Sequence, residues 1–418
     1  MGRRQSVKSI FRSRAFALLC SLAIISTSGY ALSTVYSYGV YVRIAFAYVF
    51  LFPIIIQIRR GIDRLFVAFL LCAVMVVVTF LAAGDRAIGM YVSFLATIIF
   101  ALGVVIVYEF QDFLTIYLRS MTIVSAVSLI GHYLVNAGQG ILSLPTVYNI
   151  NLIPYAVGGI FFYIVSIPSR NIGIFWEPGL FASFLILALV FELHYRKGRP
   201  RIVNIVLYVA AVVTTQSSAG YGLLLFVFSI VLIRASIFIK DTGLRIVVRV
   251  SVIALSIALL LHYPTVFELV GVADNPTIQR LAGESLAGQS RLLAVGHNLN
   301  MFLRNPIFGN GFAESYSHIL YVADTSTSTF MLSVFGILGI QYTLYWIYGV
   351  VKGKGRDMPV SIMVALVILL IVNKEPHHNL VASWCLMFYF IKDTMRPGLL
   401  PGRVDQGTFT PSLSQNRT

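Results

Sequence analysis

Long apolar blocks, most of them close to the thickness of a lipid bilayer, alternate with short polar segments along the chain. Within a block, apolar and polar residues do not alternate as they do in barrel strands, and in lipid every backbone N–H and C=O needs a partner within its own segment. The pattern therefore predicts an all-α, polytopic membrane protein with about twelve transmembrane helices. Their approximate bounds are 15–33, 38–57, 65–83, 89–108, 114–135, 174–193, 202–216, 220–234, 246–263, 326–350, 358–373 and 379–392.

The connections divide the chain into one membrane domain, residues 1–397, and a C-terminal tail, residues 398–418. The tail is rich in Pro, Gly, Ser, Thr and Gln, which predicts a disordered cytoplasmic segment. Two connections are long, residues 136–173 and 264–325. The first is rich in aromatic residues but interrupted by Pro and Gly, and we expect it to lie along the membrane interface, or alternatively to stack against sugars.

Lysine and arginine are distributed unevenly among the connections. Of the 31 cations, 23 fall in the alternate segments 3–14, 59–64, 196–201, 234–249, 352–356 and 392–417. Short cytoplasmic loops retain such residues, so we expect both termini in the cytoplasm of a bacterium and both long connections outside its inner membrane. This topology, with attraction to anionic membrane lipid, accounts for the formal charge of +15 without nucleic acid. With 58% hydrophobic residues, a soluble globular protein is excluded.

The predicted outer side also holds Arg86 and Lys374, and its two long connections hold four arginines against this bias: Arg170, Arg280, Arg291 and Arg304. The planar, permanently charged guanidinium fits phosphate oxygens, which makes these residues candidates for binding a diphosphate head group. A helix over 277–303 would place Arg280, Glu284 and Arg291 on one face. An exposed, salt-bridged face is the alternative interpretation.

Glu177 is the acid that the pattern places in the outer half of a span, at the beginning of the sixth predicted helix. A carboxylate at that depth costs free energy unless it is paired, so it is a candidate functional group. Arg170 lies seven residues upstream and is a candidate partner. Catalysis and structural pairing both remain open for Glu177, because burial raises the pKa of a carboxyl group and a neighbouring arginine lowers it.

Three segments carry a resemblance to a known family. They are RNIGIFWEPGLFASFL at 170–185, TTQSSAGYGLLL at 214–225 and QSRLLAVGHNLNMFLRNPIFGNGFAES at 289–315. In these segments the chain resembles the bacterial O-antigen and exopolysaccharide polymerases, which share a superfamily with the O-antigen ligases. The resemblance implies a fold similar to other multi-helical lipid-sugar glycosyltransferases, an undecaprenyl diphosphate-linked oligosaccharide substrate at the periplasmic face, and a membrane partner that regulates chain length.

The chemistry that the resemblance implies is attack of a sugar hydroxyl on an anomeric carbon, with lipid diphosphate as the leaving group. Arg291 and Arg280, with Arg170, would neutralise the leaving group, and Glu177, His318 or His297 would act as the base. The sequence has no phosphate-binding glycine loop and no acidic cluster on the outer side. We therefore expect a metal-independent reaction without a cofactor.

Three alternatives are weighed against this interpretation. Ligases of the superfamily carry a His-Asn type pair ahead of a glycine motif, whereas Thr325-Ser326 precede Gly336 here and His318 is out of register, which favours a polymerase. A lipid-linked sugar transporter or flippase would place more charges deep within its spans. A membrane O-acyltransferase would use a histidine, and EPHHN at 375–379 is interpreted as an outer-loop feature whose role is open.

Overall fold

A computed structural model of the chain describes residues 11, 13–36, 38–59, 61, 63–137, 144–149, 152–158, 161–269, 286–317, 326–351 and 358–392. The described part is mostly helical, in agreement with the all-α prediction. Six of its helices are long and apolar enough to cross a membrane, and five shorter apolar helices accompany them. The total of about twelve spans stays a prediction, and the predicted tail at 398–418 lies outside the described residues.

Helices and strands are numbered in chain order. The helices are α1 (Arg14–Ser26), α2 (Ala31–Tyr36), α3 (Tyr38–Ile58), α4 (Arg64–Ala83), α5 (Ile88–Val107), α6 (Phe110–Ala137), α7 (Pro178–His194), α8 (Ile202–Thr214), α9 (Ser218–Ala235), α10 (Thr242–Leu269), α11 (Leu286–Arg304), α12 (Gly311–Ser317), α13 (Thr327–Phe335), α14 (Ile340–Val351), α15 (Met358–Val372) and α16 (Val381–Ile391). The strands are β1 (Thr146–Tyr148), β2 (Pro154–Val157) and β3 (Phe162–Ile164).

The centre of the bundle is formed by α5, α7 and α16. All residues of α7 but Leu193 are buried, and every residue of α16 is buried. Both sequences are apolar on all faces, which is the pattern of a helix surrounded by protein. At 11 residues α16 is shorter than a spanning helix, so its first N–H groups need partners within the protein. One partner is the Ser28 hydroxyl, which accepts from the backbone N–H of Ala382 at 2.9 Å.

The connection between α6 and α7 contains a three-stranded antiparallel sheet in the order β1-β2-β3. The expectation that this segment lies along the membrane interface stays a prediction. Tyr155 of β2 and Phe162 of β3 are buried and pack against Ala31 and Ile172. The sheet is thereby held against the N-terminal side of α7, and we call this end of the bundle the sheet end.

At the opposite end of α7, a buried carboxylate organises the turn into α8. Glu192 accepts a hydrogen bond and ion pair from Arg196, a bond from the backbone N–H of Arg201 at 2.7 Å and one from Asn204 Nδ2 at 3.0 Å. A carboxylate near the C-terminal end of a helix is disfavoured by the helix dipole, and these donors offset that cost. The ends of α7 are therefore both fixed by polar contacts.

Candidate functional site

Three connections that are distant in sequence meet at the sheet end. The backbone N–H of Asn171 donates to the carbonyl oxygen of Thr214 at 3.0 Å. The ammonium of Lys374 donates to the Ser217 hydroxyl at 2.8 Å, across 157 residues of sequence. Residues 170–179, 214–217 and 373–379 therefore form one region, which we call the polar cluster. Two of its three parts lie in the segments 170–185 and 214–225 that the sequence analysis singled out.

Lys374 is buried, with 8% of its surface exposed, although the sequence places it in a short connection. Besides Ser217, its ammonium donates to the carbonyl oxygen of Gly179 at 3.1 Å, in the first turn of α7. A buried ammonium is tolerated only when hydrogen bonds and opposite charge replace its hydration. Lys374 therefore joins the connection before α16 to both α7 and the turn after α8.

The carboxylate of Glu375 lies against the same turn of α7. Glu375 is 1% exposed, and a side chain added at Gly179 would collide with its Oε1 atom. A glycine at 179 is thus what allows the acid to approach the helix. The position is electrostatically favourable, because the free N–H groups and the dipole at the N-terminus of a helix stabilise negative charge. The Glu375 carbonyl also accepts from the Thr327 hydroxyl at 2.8 Å, which adds α13 to the region.

His377 and His378 follow and are almost completely buried. His377 Nδ1 lies 2.8 Å from the Ser383 hydroxyl, and the His378 ring stacks on Phe330 with centroids 4.6 Å apart. Within the described ranges, His377 Nε2 and both ring nitrogens of His378 have no hydrogen-bond partner in the protein. Buried nitrogens of this kind cost stability, so their retention marks the pair as a functional candidate.

The charge state of the two histidines follows from their surroundings. Burial, and then the positive charge of Lys374, lower the pKa of His377 to about 3. Burial, His377 and Arg43 lower the pKa of His378 to about 3 as well. Both imidazoles are therefore neutral near pH 7, and each has one N–H that can donate a hydrogen bond and one nitrogen that can accept one.

Arg43 of α3 holds the turn that contains the histidines. Its Nη1 atom donates to the Asn379 carbonyl at 3.2 Å and to the Thr97 hydroxyl at 3.4 Å, and its Nε atom donates to the Gly39 carbonyl at 3.2 Å. These acceptors replace the hydration that a cation loses within an apolar helix. The EPHHN segment is a buried turn fixed from α3, α7 and α13, and its location on the outer side stays a prediction.

Glu177 lies outside the helix in which the sequence had placed it. It occupies the N-cap position of α7, with extended backbone angles, and it is half-buried. The helix begins at Pro178 because proline has a φ angle that suits the first helical position, where its missing N–H would have no intrahelical partner. Proline also disfavours helical geometry in the residue before it, which is Glu177. Glu177 therefore lies in the part of the polar cluster formed by the loop that leads into α7.

Tyr155 of the sheet supports the same loop. Its hydroxyl donates to the carbonyl oxygen of Trp176 at 2.7 Å and accepts from Asn149 Nδ2 at 3.4 Å. Burial, and then the charge of Glu177, hold the pKa of Tyr155 above its usual range, so the phenol remains protonated and donates. The sheet thus positions the residues immediately before α7.

The four arginines predicted to bind diphosphate lie in different places in the structure, and the side chains of two of them are outside the described residues. Arg170 is half-buried, and its Nε atom donates to the Thr215 carbonyl at 3.2 Å within the polar cluster. Arg304 is exposed in the last turn of α11. Arg291 lies in α11, but its side chain is outside the described residues, as are Arg280, Glu284 and the predicted base His318. The predicted helix over 277–303 corresponds to α11 from Leu286 onward.

The segment at 289–315 is attached to the same side of the bundle through α13. Asn298 of α11 donates to the Thr329 hydroxyl at 3.2 Å. The backbone N–H of Asn310 donates to the Ser333 carbonyl at 3.0 Å. Gly309 has φ +76° and lies so close to Val334 that no side chain would fit, which explains the glycine of the Pro-x-x-Gly-x-Gly turn. The segments 170–185, 214–225 and 289–315 therefore all contact the elements that surround residues 373–379.

Sequence reasoning missed the central role of residues 373–379. A signal was present, because Lys374 and Glu375 stand next to two histidines in a short connection between two apolar helices. Charged residues in a buried connection require partners, which directs attention to Lys374 and Glu375. The cation bias alone had placed these residues in an ordinary outer loop.

Comparison with known proteins does not assign the chain to a family. No protein-family model matches the chain, and no curated protein matches it. Among the described residues, no group of three His, Cys, Asp or Glu side chains could hold a metal ion. The chemistry of the site is therefore argued from the polar cluster itself.

Proposed function

We propose that this protein joins undecaprenyl diphosphate-linked oligosaccharide repeat units into a bacterial surface polysaccharide at the outer face of the inner membrane. The observation that carries the proposal is the position of Lys374, whose ammonium contacts both Gly179 and Ser217. These two residues belong to separate segments that resemble the polymerases, and their meeting at a buried charged turn supports a common site. The cation bias of the connections supports an outer location for it.

In the proposed reaction, a sugar hydroxyl on one lipid-linked repeat attacks the anomeric carbon of the chain on another. A new C–O bond forms, the bond between the anomeric carbon and the diphosphate oxygen breaks, and the hydroxyl proton passes to a base. Arg170, together with Arg291, Arg280 and Arg304, would stabilise the negative charge that develops on the leaving diphosphate. No nucleotide is needed because the linkage to diphosphate supplies the energy.

Glu177 is the described residue best placed to receive the proton. It is half-buried in the polar cluster and is therefore open to a ligand from the loop side. A base must come within hydrogen-bond distance of the attacking hydroxyl, and a carboxylate at the N-cap of α7 is held in one place by the helix that follows. His318 and His297 are the alternative bases, and Arg291 is the arginine whose loss we expect to be most damaging.

The test is reconstitution of the purified protein with its lipid-linked repeat unit, which is extracted from cells that lack the protein. With chelator present, we expect a ladder of saccharides that differ by one repeat. Arg170→Ala, Arg291→Ala and Glu177→Gln should each weaken the ladder by about one hundredfold, a size typical of lost charge stabilisation or a lost base. Arg199→Ala, an exposed cation in the turn between α7 and α8, is the matched control and should retain activity.

Three outcomes would contradict the proposal. Folded wild-type protein that produces no ladder from the correct repeat unit would exclude polymerase activity. Transfer of a finished chain to a different lipid acceptor, without any ladder, would instead indicate a ligase. Movement of the repeat unit across the bilayer without a new glycosidic bond would indicate a transporter.

A further inference from the structure

A helix break lies within the span that α13 and α14 form. The span Thr327–Val351 is 25 residues long and apolar enough to cross a membrane, and a 3₁₀ turn, Gly336–Gly339, separates its two helices. Gly336 begins this turn with φ +61°, which is not an α-helical angle. A break leaves N–H and C=O groups without partners in their own helix, and in lipid no water replaces those partners. The partners must therefore come from another part of the chain.

The turn at 305–310, which follows α11, supplies partners for the break. The backbone N–H of Ile337 donates to the Pro306 carbonyl at 2.7 Å, and the backbone N–H of Asn310 donates to the Ser333 carbonyl at 3.0 Å. The Asn310 side chain donates a second bond to the same Ser333 oxygen at 3.1 Å. The 305–310 turn is therefore bonded to the span at the level of its break.

Other backbone groups of this turn are paired as well. The Gly309 carbonyl accepts from Asn305 Nδ2 at 2.7 Å, and the Gly309 N–H donates to the Asn305 carbonyl at 3.0 Å. The Phe308 carbonyl accepts from the Thr79 hydroxyl of α4 at 2.9 Å, and Thr79 is fully buried. A loop in water can leave such groups to solvent, whereas non-helical backbone at membrane depth requires partners within the protein.

The side chains that the turn exposes are apolar. Ile307 is 60% exposed and Phe308 43%, and Leu303 in the last turn of α11 is 71% exposed. On the neighbouring span, Ile337 and Ile340 are 48% and 39% exposed. Because Ile337 is bonded to the turn, these side chains belong to one apolar surface that continues onto α14. A contiguous apolar surface of this kind marks contact with a partner or a membrane.

The depth of the turn can be measured along two helices from their predicted cytoplasmic ends. From Arg64 to Thr79, which binds the turn, the axis of α4 rises about 23 Å at 1.5 Å per residue. From Val351 back to Gly336, α14 and the 3₁₀ turn together rise about 25 Å. The hydrocarbon core of a bilayer is about 30 Å thick, so both paths place the 305–310 turn about 5–7 Å inside its outer boundary.

We propose that residues 303–308 form a re-entrant tip that enters the outer leaflet of the membrane, with Leu303, Ile307 and Phe308 in contact with the acyl chains of phospholipids. The sequence had placed the whole connection that contains this tip outside the membrane. Arg304 suits this depth, because an arginine near the interface keeps its methylene groups in apolar surroundings and extends its guanidinium to the layer of lipid phosphates. The tip would anchor α11 to the bilayer, whatever reaction the protein catalyses.

A nitroxide label at Ile307→Cys measures the surroundings of the tip in the full-length protein, reconstituted in nanodiscs of phosphatidylcholine and phosphatidylglycerol. Collision rates of the label with oxygen, which concentrates in hydrocarbon, are compared with those of nickel ethylenediaminediacetate, which stays in water. The three native cysteines are buried, so the introduced cysteine can be labelled selectively.

Three further labelled variants calibrate the measurement. Leu81→Cys is on the exposed side of α4 near the expected depth of the tip, and Val74→Cys is on the same helix closer to the bilayer centre. Lys197→Cys, in the exposed turn after α7, is the control for water. We expect the ratio of oxygen to nickel collision rates at Ile307 to match the ratio at Leu81. It should lie below the ratio at Val74 and above the ratio at Lys197.

Two results of the collision measurement would overturn the inference. A ratio at Ile307 equal to that at Lys197 would place the tip in water. Low collision rates with both reagents would show that protein covers the tip, from another segment or from a second copy of the chain. Neither result would bear on polymerisation, so the proposed function is tested separately.

Thr79→Val tests whether the pairing of the turn is required, as it would be in lipid. The variant removes the donor to the Phe308 carbonyl, and hydrocarbon offers no water to replace it. Thr115→Val is the matched control, because the Thr115 hydroxyl is exposed and bonds within α6. We expect a lower thermal midpoint of unfolding for Thr79→Val than for the control. Equal midpoints would show that water reaches the turn, and would overturn the inference.

Discussion

Gly179 is the residue on which the packing of the polar cluster most directly depends. Replacing it with alanine puts a methyl group against the Glu375 carboxylate, in a region with no exposed side to give way. We expect Gly179→Ala to destabilise the protein by about 1–3 kcal/mol, as overpacking of a buried site does. Gly296→Ala in α11 is the control, because no atom lies within 4 Å of the added methyl group.

The control substitution Gly296→Ala should leave the stability of the protein unchanged or raise it slightly, because alanine is a better helix former than glycine. The measurement is the thermal midpoint of each purified variant in the same detergent. Equal midpoints for Gly179→Ala and the wild type would show that Glu375 can withdraw from α7. The close approach of the acid to the helix would then not be required for stability.

His378 makes stability depend on pH. Its pKa is about 3 in the folded protein and about 6.5 in an unfolded chain. The unfolded state therefore binds the proton first as the pH falls. The stability that the neutral His378 ring contributes is fully present above the pKa of this ring in the unfolded chain. It is lost as the pH falls towards the pKa of the ring in the folded protein.

We expect His378→Phe to remove this dependence while it keeps the ring contact with Phe330. Between pH 6.5 and 4.5, the stability difference between variant and wild type should grow in favour of the variant by up to about 1.4 kcal/mol per pH unit. Unfolding midpoints of both proteins, measured across that range, provide the check. Parallel pH profiles would mean that His378 is not a buried neutral group in the folded protein.

At the scale of elements, the long apolar helices could be predicted from the sequence because bilayer length and backbone pairing leave little choice. The beginning of α7 was placed four residues too early, since the apolar run continues through Ile174 to Trp176 although Pro178 begins the helix. Three strands of 3 or 4 residues gave no alternating pattern long enough to recognise. Which connections meet depends on packing between distant helices, which a single sequence does not reveal.

The sheet has a positioning role that can be tested. Tyr155→Phe removes the bond to the Trp176 carbonyl and leaves that buried acceptor unpaired, at a cost of about 1 kcal/mol. We expect a lower unfolding midpoint and, in the reconstituted reaction, a lower kcat with little change in KM, because Glu177 is then less well held. Tyr148→Phe, in β1 and 60% exposed, is the matched control. Equal kcat values in the two variants would leave the sheet without a role in positioning Glu177.

At the scale of the whole molecule, α7 is fixed at both ends. Lys374 and Glu375 meet its first turn, and Glu192 with its donors fixes its last turn and the chain that leads into α8. A central helix held in this way cannot shift along its axis without breaking buried polar contacts, each of which is costly to leave unpaired. The polar cluster is therefore placed on a rigid part of the bundle, as the proposed reaction between two lipid-linked substrates would require.

The orientation of the bundle decides whether the polar cluster faces the compartment that the proposed reaction needs. Tyr148 and Lys197 are exposed on connections at opposite ends of α7, which is about 26 Å long. The three native cysteines are buried, so single cysteines introduced at these positions can be labelled selectively. In intact spheroplasts, we expect a membrane-impermeant maleimide to label Tyr148→Cys, and to label Lys197→Cys only after permeabilisation. The reverse result would place the polar cluster in the cytoplasm, where a polymerase that uses externally displayed repeat units could not work.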